Sequence, residues 1–323
     1  MDKVLCSIGT RGRYHTTLPM ALTAIINQTR KVDKLIIFDD NDEPEDLRHH
    51  QLYAQLFNIM NLKGIDWEWR YAAKKGTQHN HQAANTMGYK WVWRMDDDAI
   101  PESDVLRSLL SFAIFSNAGA VGGSILTPPL IYEETIPTGK IENISTEPNP
   151  QWRRITTRQQ VEHLHCSFLY RAGVHDYNLG LSRVAHREET LFTYGLHKKG
   201  FGIFVIPEAI TWHLKNPSGG IRSETDASMY SHDEQIFQNF LAFKDKTIVV
   251  LNCGLGDHLV FKKVLPDIKN PMVFSCYPEV IPGESIAAAQ NLFGSIDQWN
   301  IYLKMAQWKW NQPLEAAFRK LYL

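Results

Sequence analysis

Residues 3–40 read strand, helix, strand, and this alternation limits the fold more than any other feature of the chain. The stretch "KVLCSIGT" is a short apolar run ending in a glycine turn. The stretch "LPMALTAIINQT" spaces its apolar residues along one helical face, and "DKLIIFDD" is a second apolar run ending in acids. A βαβ unit of this length requires parallel strands, so helices cover a sheet whose loops at the strand carboxyl ends carry the chemistry. Both "GTRGR" and "FDDND" fall at such ends.

The alternation continues. Residues 44–62 are expected to be helical, "IDWEWRYA" alternates like a strand, and "HNHQAANTMGYK" has helical spacing before the strand "WVWRM". A helix is expected over about 101–116, then the strand "AVGGSIL" and a proline-rich polar passage from Thr127 to Pro150, too long for a tight connection and read as a binding loop or lid. A second block follows, with "HLHCSFLYRAG" as a strand, "HREETLFTYGLHKKG" as a helix and "FGIFVIPEAITWH" as a strand. Residues 215–235 are polar and rich in Gly and Ser, as a linker is. The chain then restarts with "TIVVLNCGLGDHLVFKKVLPDI" and "PMVFSC", and a helical tail carries Trp299, Trp308 and Trp310. A boundary near 245 gives a main domain over 1–245 and a small α/β appendage over 246–323.

Composition excludes several classes. With 34 Lys plus Arg against 35 Asp plus Glu among 323 residues, the formal net charge of -1 attracts neither nucleic acid nor anionic lipid. Cys6, Cys166, Cys253 and Cys276 form no CxxC pair, so reduced, mostly buried thiols are expected, in a cytoplasmic setting. Residues 108–132 carry no charge and are long enough to span a bilayer, but Asn117, the glycines and Pro128-Pro129 interrupt them. No transmembrane segment is expected.

The stretch "WVWRMDDDAIPE" (91–102) puts Asp96, Asp97 and Asp98 behind a strand of buried-type residues. A helix N-cap explains one aspartate and not three. Asp96 and Asp98 at a strand end can converge on a divalent cation that also grips a diphosphate, and oxygen ligands suit Mg²⁺ or Mn²⁺. On this reading Asp98 is the direct ligand and Asp96 faces the sugar and the metal shell.

Four pieces in order resemble the nucleotide-sugar glycosyltransferases of the GT-A fold, family 2 type. They are "IGTRGRYHTTLPMALTAIINQTRKVDKLIIFDDND", "HNHQAANTMGYKWVWRMDDDAIPE", "HCSFLYRAGVHDYNLG" and "HREETLFTYGLHKKGFGIFVIPEAITWH". The resemblance implies a Rossmann-like α/β fold with a mixed, mostly parallel sheet flanked by helices, and inverting, metal-dependent transfer of a sugar from a nucleoside diphosphate donor, a UDP-sugar first among them, to a hydroxyl acceptor. It implies that Thr10, Arg11 and Arg13 line the nucleotide pocket and that Asp40, with Asp39 beside it, holds the base. His213 becomes the third metal ligand after Asp98 and Asp96. Glu188 and Glu189 stand at the family's Glu-Asp position, where the second acid is the general base; here Glu replaces Asp, which leaves the choice between the two open.

The stretch "VVLNCGLGDHLVFKKVLPDI" resembles the opening unit of heptosyltransferase-type enzymes, although too few residues follow for that fold. It is read as an accessory module, serving packing, acceptor binding or homo-oligomerisation. The acceptor, whether saccharide, lipid-linked glycan, protein or modified nucleobase, is not named by the sequence; Arg153, Arg154, Arg158 and Arg222 would allow an anionic one. Two other readings remain at this point, a sugar-phosphate nucleotidyltransferase and a non-catalytic nucleotide-binding module.

Overall fold

The computed structural model describes residues 2–129, 137–215, 218–220, 224–301 and 313–322. The chain divides into two compact units, Met1–Tyr177 with Ser182–Tyr230, and Asn178–Leu181 with Ser231–Leu323. The division therefore falls earlier than the boundary read near 245.

In the first unit β1 (Val4–Thr10), α1 (Leu18–Ile26), β2 (Lys34–Asp39), α2 (Gln51–Leu62), β3 (Asp66–Tyr71), α3 (Thr77–Asn85) and β4 (Trp91–Asp96) follow the expected alternation. They are succeeded by β5 (Ala99–Pro101), α4 (Val105–Ser116), β6 (Ala120–Leu126), β7 (Gln159–Val161), β8 (Phe168–Arg171), α5 (Glu188–Lys198) and β9 (Ile203–His213). Among the described residues they form a nine-stranded sheet in the order β3-β2-β1-β4-β8-β6-β9-β5, with β7 on β9. Strands β1 to β4 are mutually parallel, and the mixed half begins where β8 pairs antiparallel with both β4 and β6. The uncharged stretch that is long enough for a membrane span is the end of α4 and all of β6, and no described helix is long and apolar enough to cross a membrane.

This topology places the site. From β1 the chain runs outward to β2 and β3, then returns to lay β4 on the other side of β1. The strand order reverses there, and the loops leaving β1 and β4 part to open a crevice, as in other open α/β sheets. Register puts the relevant residues level: Gly9 pairs with Asp96 and Thr10 with Asp39. Helices on both faces account for the continuous apolar runs, and Trp91, Trp93 and Met95 of β4 are fully buried.

A second device brings the far end of the sheet to the same crevice. The short β5 pairs antiparallel with the end of β9, Ala99 opposite His213, and the Leu214 amide donates to the Asp98 carbonyl at 2.9 Å. The long β9 reaches that point beside β6 through a register shift between Gly123 and Ser124. Gly123 is required there, because a Cβ would lie 2.1 Å from the Ala209 carbonyl oxygen.

Two expectations change. The strand read over "HLHCSFLYRAG" is confined to Phe168–Arg171, because Cys166 has a left-handed backbone (φ 55°) that a strand cannot contain. The segment 215–235 is not all linker, since α6 (Ala227–Phe243) begins within it.

The second unit holds a parallel pair, β10 (Thr247–Leu251) and β11 (Pro271–Ser275), joined through the short α7 (Leu255–Phe261), with α8 (Ile286–Phe293) and a helix Leu314–Tyr322. Asp257 folds back to accept from the Gly254 amide at 3.1 Å, so the "GLGD" turn is capped by its own side chain. Trp299 packs on Phe293 at 4.9 Å between ring centres and belongs to the core of this unit. Trp308 and Trp310 lie outside the described residues, as does Arg222.

Candidate active site

A cavity of about 330 Å³ opens at the carboxyl ends of β1 and β4. Gly9, Thr10, Arg11 and Arg13 line it from the first loop, Asp40 from the second, Asp96, Asp97 and Asp98 from the third, and Glu189 and His213 from α5 and β9. Of the residues expected to bind donor or metal or to act as base, Asp39 and Glu188 stay outside its lining, as do Arg153, Arg154 and Arg158, singled out for an anionic acceptor.

The three aspartates have separate environments. Asp97 accepts from the Thr10 hydroxyl at 2.7 Å and from the Arg13 guanidinium, so two residues expected to face the nucleotide also fix this loop. Burial pushes the Asp97 carboxyl up to about 6, against the pull of Arg13. Asp98 is buried, with Arg13 Nη1 at 3.1 Å and His213 Nε2 at 3.3 Å. Asp96 is the most accessible of the three, with 31% of its side chain exposed, and receives Arg94 Nη1 at 2.6 Å. Its carboxyl is raised, first by burial and further by the neighbouring Asp98 and Glu189 charges.

The two acids of the second loop divide likewise. Asp40 accepts from the Gly76 amide at 3.0 Å and from Asn80 of α3 at 3.4 Å, facing the cavity with its carboxyl raised by burial. Asp39 is fully buried, capped by the Tyr14 hydroxyl and by the Asn41 amide at 3.1 Å. Its role here is to hold the loop.

The geometry also separates Glu188 from Glu189. Both begin α5, whose first turn follows the left-handed Arg187 (φ 68°), a position suited to acids. Glu188 is 1% exposed and is gripped through Oε1 by Arg94 Nε (3.2 Å) and Nη2. Burial, with Glu189 and Asp96 adding to it, pushes its carboxyl up to about 8 while Arg94 pulls the other way. Glu189 keeps 21% of its side chain exposed and turns to the cavity, with His165 Nδ1 at 4.0 Å and Arg94 Nη2 at 3.9 Å.

Arg94 is therefore the hub of the site, and sequence reasoning passed over it. It is buried in the middle of β4, reaches Asp96, Glu188 and the Cys166 carbonyl, and lies 5.7 Å from the Phe168 ring centre. The signal was present, since an arginine inside "WVWRM" must find an acid or leave a charge buried. Trp152, His165 and Cys166 also line the cavity unpredicted. Burial lowers the His165 imidazole to about 3, so it is neutral at physiological pH.

The donor atoms of Asp96, Cys166 and His213 all lie within 4.8 Å of one another, and His213 Nδ1 is buried without a hydrogen-bond partner. A carboxylate, an imidazole and a thiol this close, with Asp98 against the same imidazole, fit a divalent cation.

A crevice at a strand-order reversal, with acids from two loops and from the first turn of α5, defines the class: this is a GT-A fold. A solved structure of S. aureus TarS 1-349 in complex with UDP-GlcNAc superposes with a TM-score of 0.52 at 11% identity, covering 75% of this chain and 67% of that one. A structure of GalNAc-T7 with UDP, GalNAc and Mn²⁺ gives 0.49 at 10% identity, over 75% of this chain and 51% of that one. The profile of glycosyl transferase family 2 matches residues 10–177, just over half of the chain, and the protein belongs to that family. The galactofuranosyltransferase GlfT1 of Mycolicibacterium smegmatis (strain ATCC 700084 / mc(2)155) is 29% identical over 114 residues, which are 34% of this chain and 35% of that protein.

Proposed function

We propose that the first unit transfers a sugar from a nucleoside diphosphate donor to a hydroxyl acceptor, with inversion at the anomeric carbon. The observation that carries this reading is the convergence of Asp40, Asp96, Asp98, His213 and Glu189 on one cavity while Glu188 lies beneath it on Arg94. Asp40 and the loop Thr10–Arg13 face the nucleoside end, and the Asp96–Asp98 loop faces the diphosphate. Asp98, Asp96 and His213 would hold a divalent cation, and their two carboxylates taken by themselves would suit Mn²⁺ or Mg²⁺. Its chemistry is to neutralise the charge that grows on the departing diphosphate.

Glu189 is the general base. Its carboxylate accepts the acceptor's hydroxyl proton, the freed oxygen attacks the anomeric carbon, and the bond to the diphosphate breaks with its electron pair on the leaving oxygen. A single displacement inverts the centre. Glu188 cannot take this part from below the cavity; it positions Arg94 and the first turn of α5. The donor is proposed to be a UDP-sugar, in keeping with the ligand in the TarS structure, and the GlfT1 match puts UDP-galactofuranose among the first to test.

The test is nucleoside diphosphate release with Glu189→Gln and Glu188→Gln. Glu189→Gln is expected to lower the rate about 10²- to 10⁴-fold with donor affinity unchanged, the span of a positioned general base. A Glu189→Gln rate within threefold of the native protein would remove the assignment.

A further inference from the structure

We propose that Cys166 is a ligand in the metal site, which makes that site a carboxylate, thiolate and imidazole set with a preference for thiophilic divalent ions such as Zn²⁺ and Co²⁺ over Mg²⁺. The inference rests on the metal-binding reading above and concerns which atoms bind and which ion they select.

Three observations carry it. The Cys166 sulfur, an Asp96 oxygen and a His213 nitrogen lie within 4.8 Å of one another. Three donors on one ion at bond lengths of about 2.0–2.3 Å stand about 3.3–4.0 Å apart, so shifts of up to about an ångström close the set. His213 is 6% exposed, and its Nδ1 has no hydrogen-bond partner. Cys166 is held in the left-handed region at φ 55°, a conformation that strains a non-glycine residue, with its carbonyl fixed by Arg94. That backbone sets Cys166 against the cavity that Asp96 and His213 line, where an extended residue would have continued β8.

A buried cysteine is ordinarily a small core residue, and Cys166 does touch the main apolar cluster. Core packing alone does not account for the strained backbone or for the position between a carboxylate and an imidazole. On binding, the thiol passes its proton to solvent and coordinates as the thiolate, with no change of oxidation state. Thiolate donors select zinc-like ions, whereas an all-oxygen set favours magnesium and manganese.

Titration of the full chain with Co²⁺, followed by near-ultraviolet and visible absorption, tests this directly. A Cys253→Ser/Cys276→Ser background removes the thiols of the second unit, where both sulfurs lie within 4.0 Å of the His258 ring. In that background a sulfur-to-cobalt charge-transfer band is expected at one equivalent. It should vanish in Cys166→Ser and in Cys166→Ala, with Co²⁺ affinity at least tenfold weaker and the melting temperature of the ion-free protein retained in one of the two. Co²⁺ binding without the band, or a band that survives both substitutions, overturns the role of Cys166 and leaves the metal-binding reading standing. No Co²⁺ binding to the parent protein overturns both.

Discussion

Replacing Arg94 with methionine strips a shared guanidinium from Asp96, at 2.6 Å, and from the fully buried Glu188. Methionine keeps an unbranched apolar stem in the space beside Phe168, so the loss is chiefly electrostatic. Removing one partner of a buried ion pair costs about 3–5 kcal/mol. At about 2–4 °C per kcal/mol for a unit of this size, the melting point should fall by roughly 6–20 °C. The sign of the pH dependence follows from Glu188. Its folded carboxyl is raised to about 8 from an ordinary 4.5, so between those values the folded state binds more protons than the unfolded one and stability declines as pH rises. Without Arg94 the carboxyl moves higher still, and the deficit should be larger at pH 8 than at pH 5.5. Adding Glu188→Gln should recover at least half of the loss, because both charges of the pair are then gone. Urea unfolding followed by tryptophan fluorescence follows the loss, since Trp91 and Trp93 lie in the same strand as Arg94. A single variant within about 1 kcal/mol of the native protein at both pH values, below the range for a broken buried pair, would refute the reasoning.

Gly123→Ala should destabilise the first unit by about 1–3 kcal/mol, the usual cost of an atom forced into packed space, here against the Ala209 carbonyl at 2.1 Å; an unchanged urea midpoint would contradict the register shift between β6 and β9. Asp97→Asn should weaken donor binding about tenfold (about 1.4 kcal/mol), because it loosens the loop through Thr10 and Arg13; calorimetry with UDP measures this, and unchanged affinity would count against the loop's role.

The sequence made the alternation of strands and helices legible, because each central strand is an uninterrupted apolar run and each loop at a carboxyl end is polar. The three acids behind "WVWRM" could be placed for the same reason, but their separate environments could not. How Asp97 is held depends on Arg13 and Thr10, which come from a loop more than eighty residues earlier and meet Asp97 only through the pairing of β1 with β4. The choice between Glu188 and Glu189 was equally closed to sequence. Adjacent residues at the start of a helix point about 100° apart, and only the position of Arg94 decides which is buried. The division between units falls before residue 245 for a different reason. The polar opening of α6 reads as linker, while its buried residues Ile236 and Phe237 belong with the second unit. Cys166 looked like any buried thiol, since nothing in a one-dimensional pattern reveals a positive φ.

The central claim is tested most directly by measuring nucleoside diphosphate release from a panel of nucleotide sugars, with added divalent ion and with excess EDTA, for the native chain and Glu189→Gln. The account predicts that at least one donor is consumed, that EDTA stops its consumption, and that Glu189→Gln slows it about 10²-fold or more. Undiminished turnover in EDTA, or saturable donor binding with no consumption of any donor under all conditions, would contradict it.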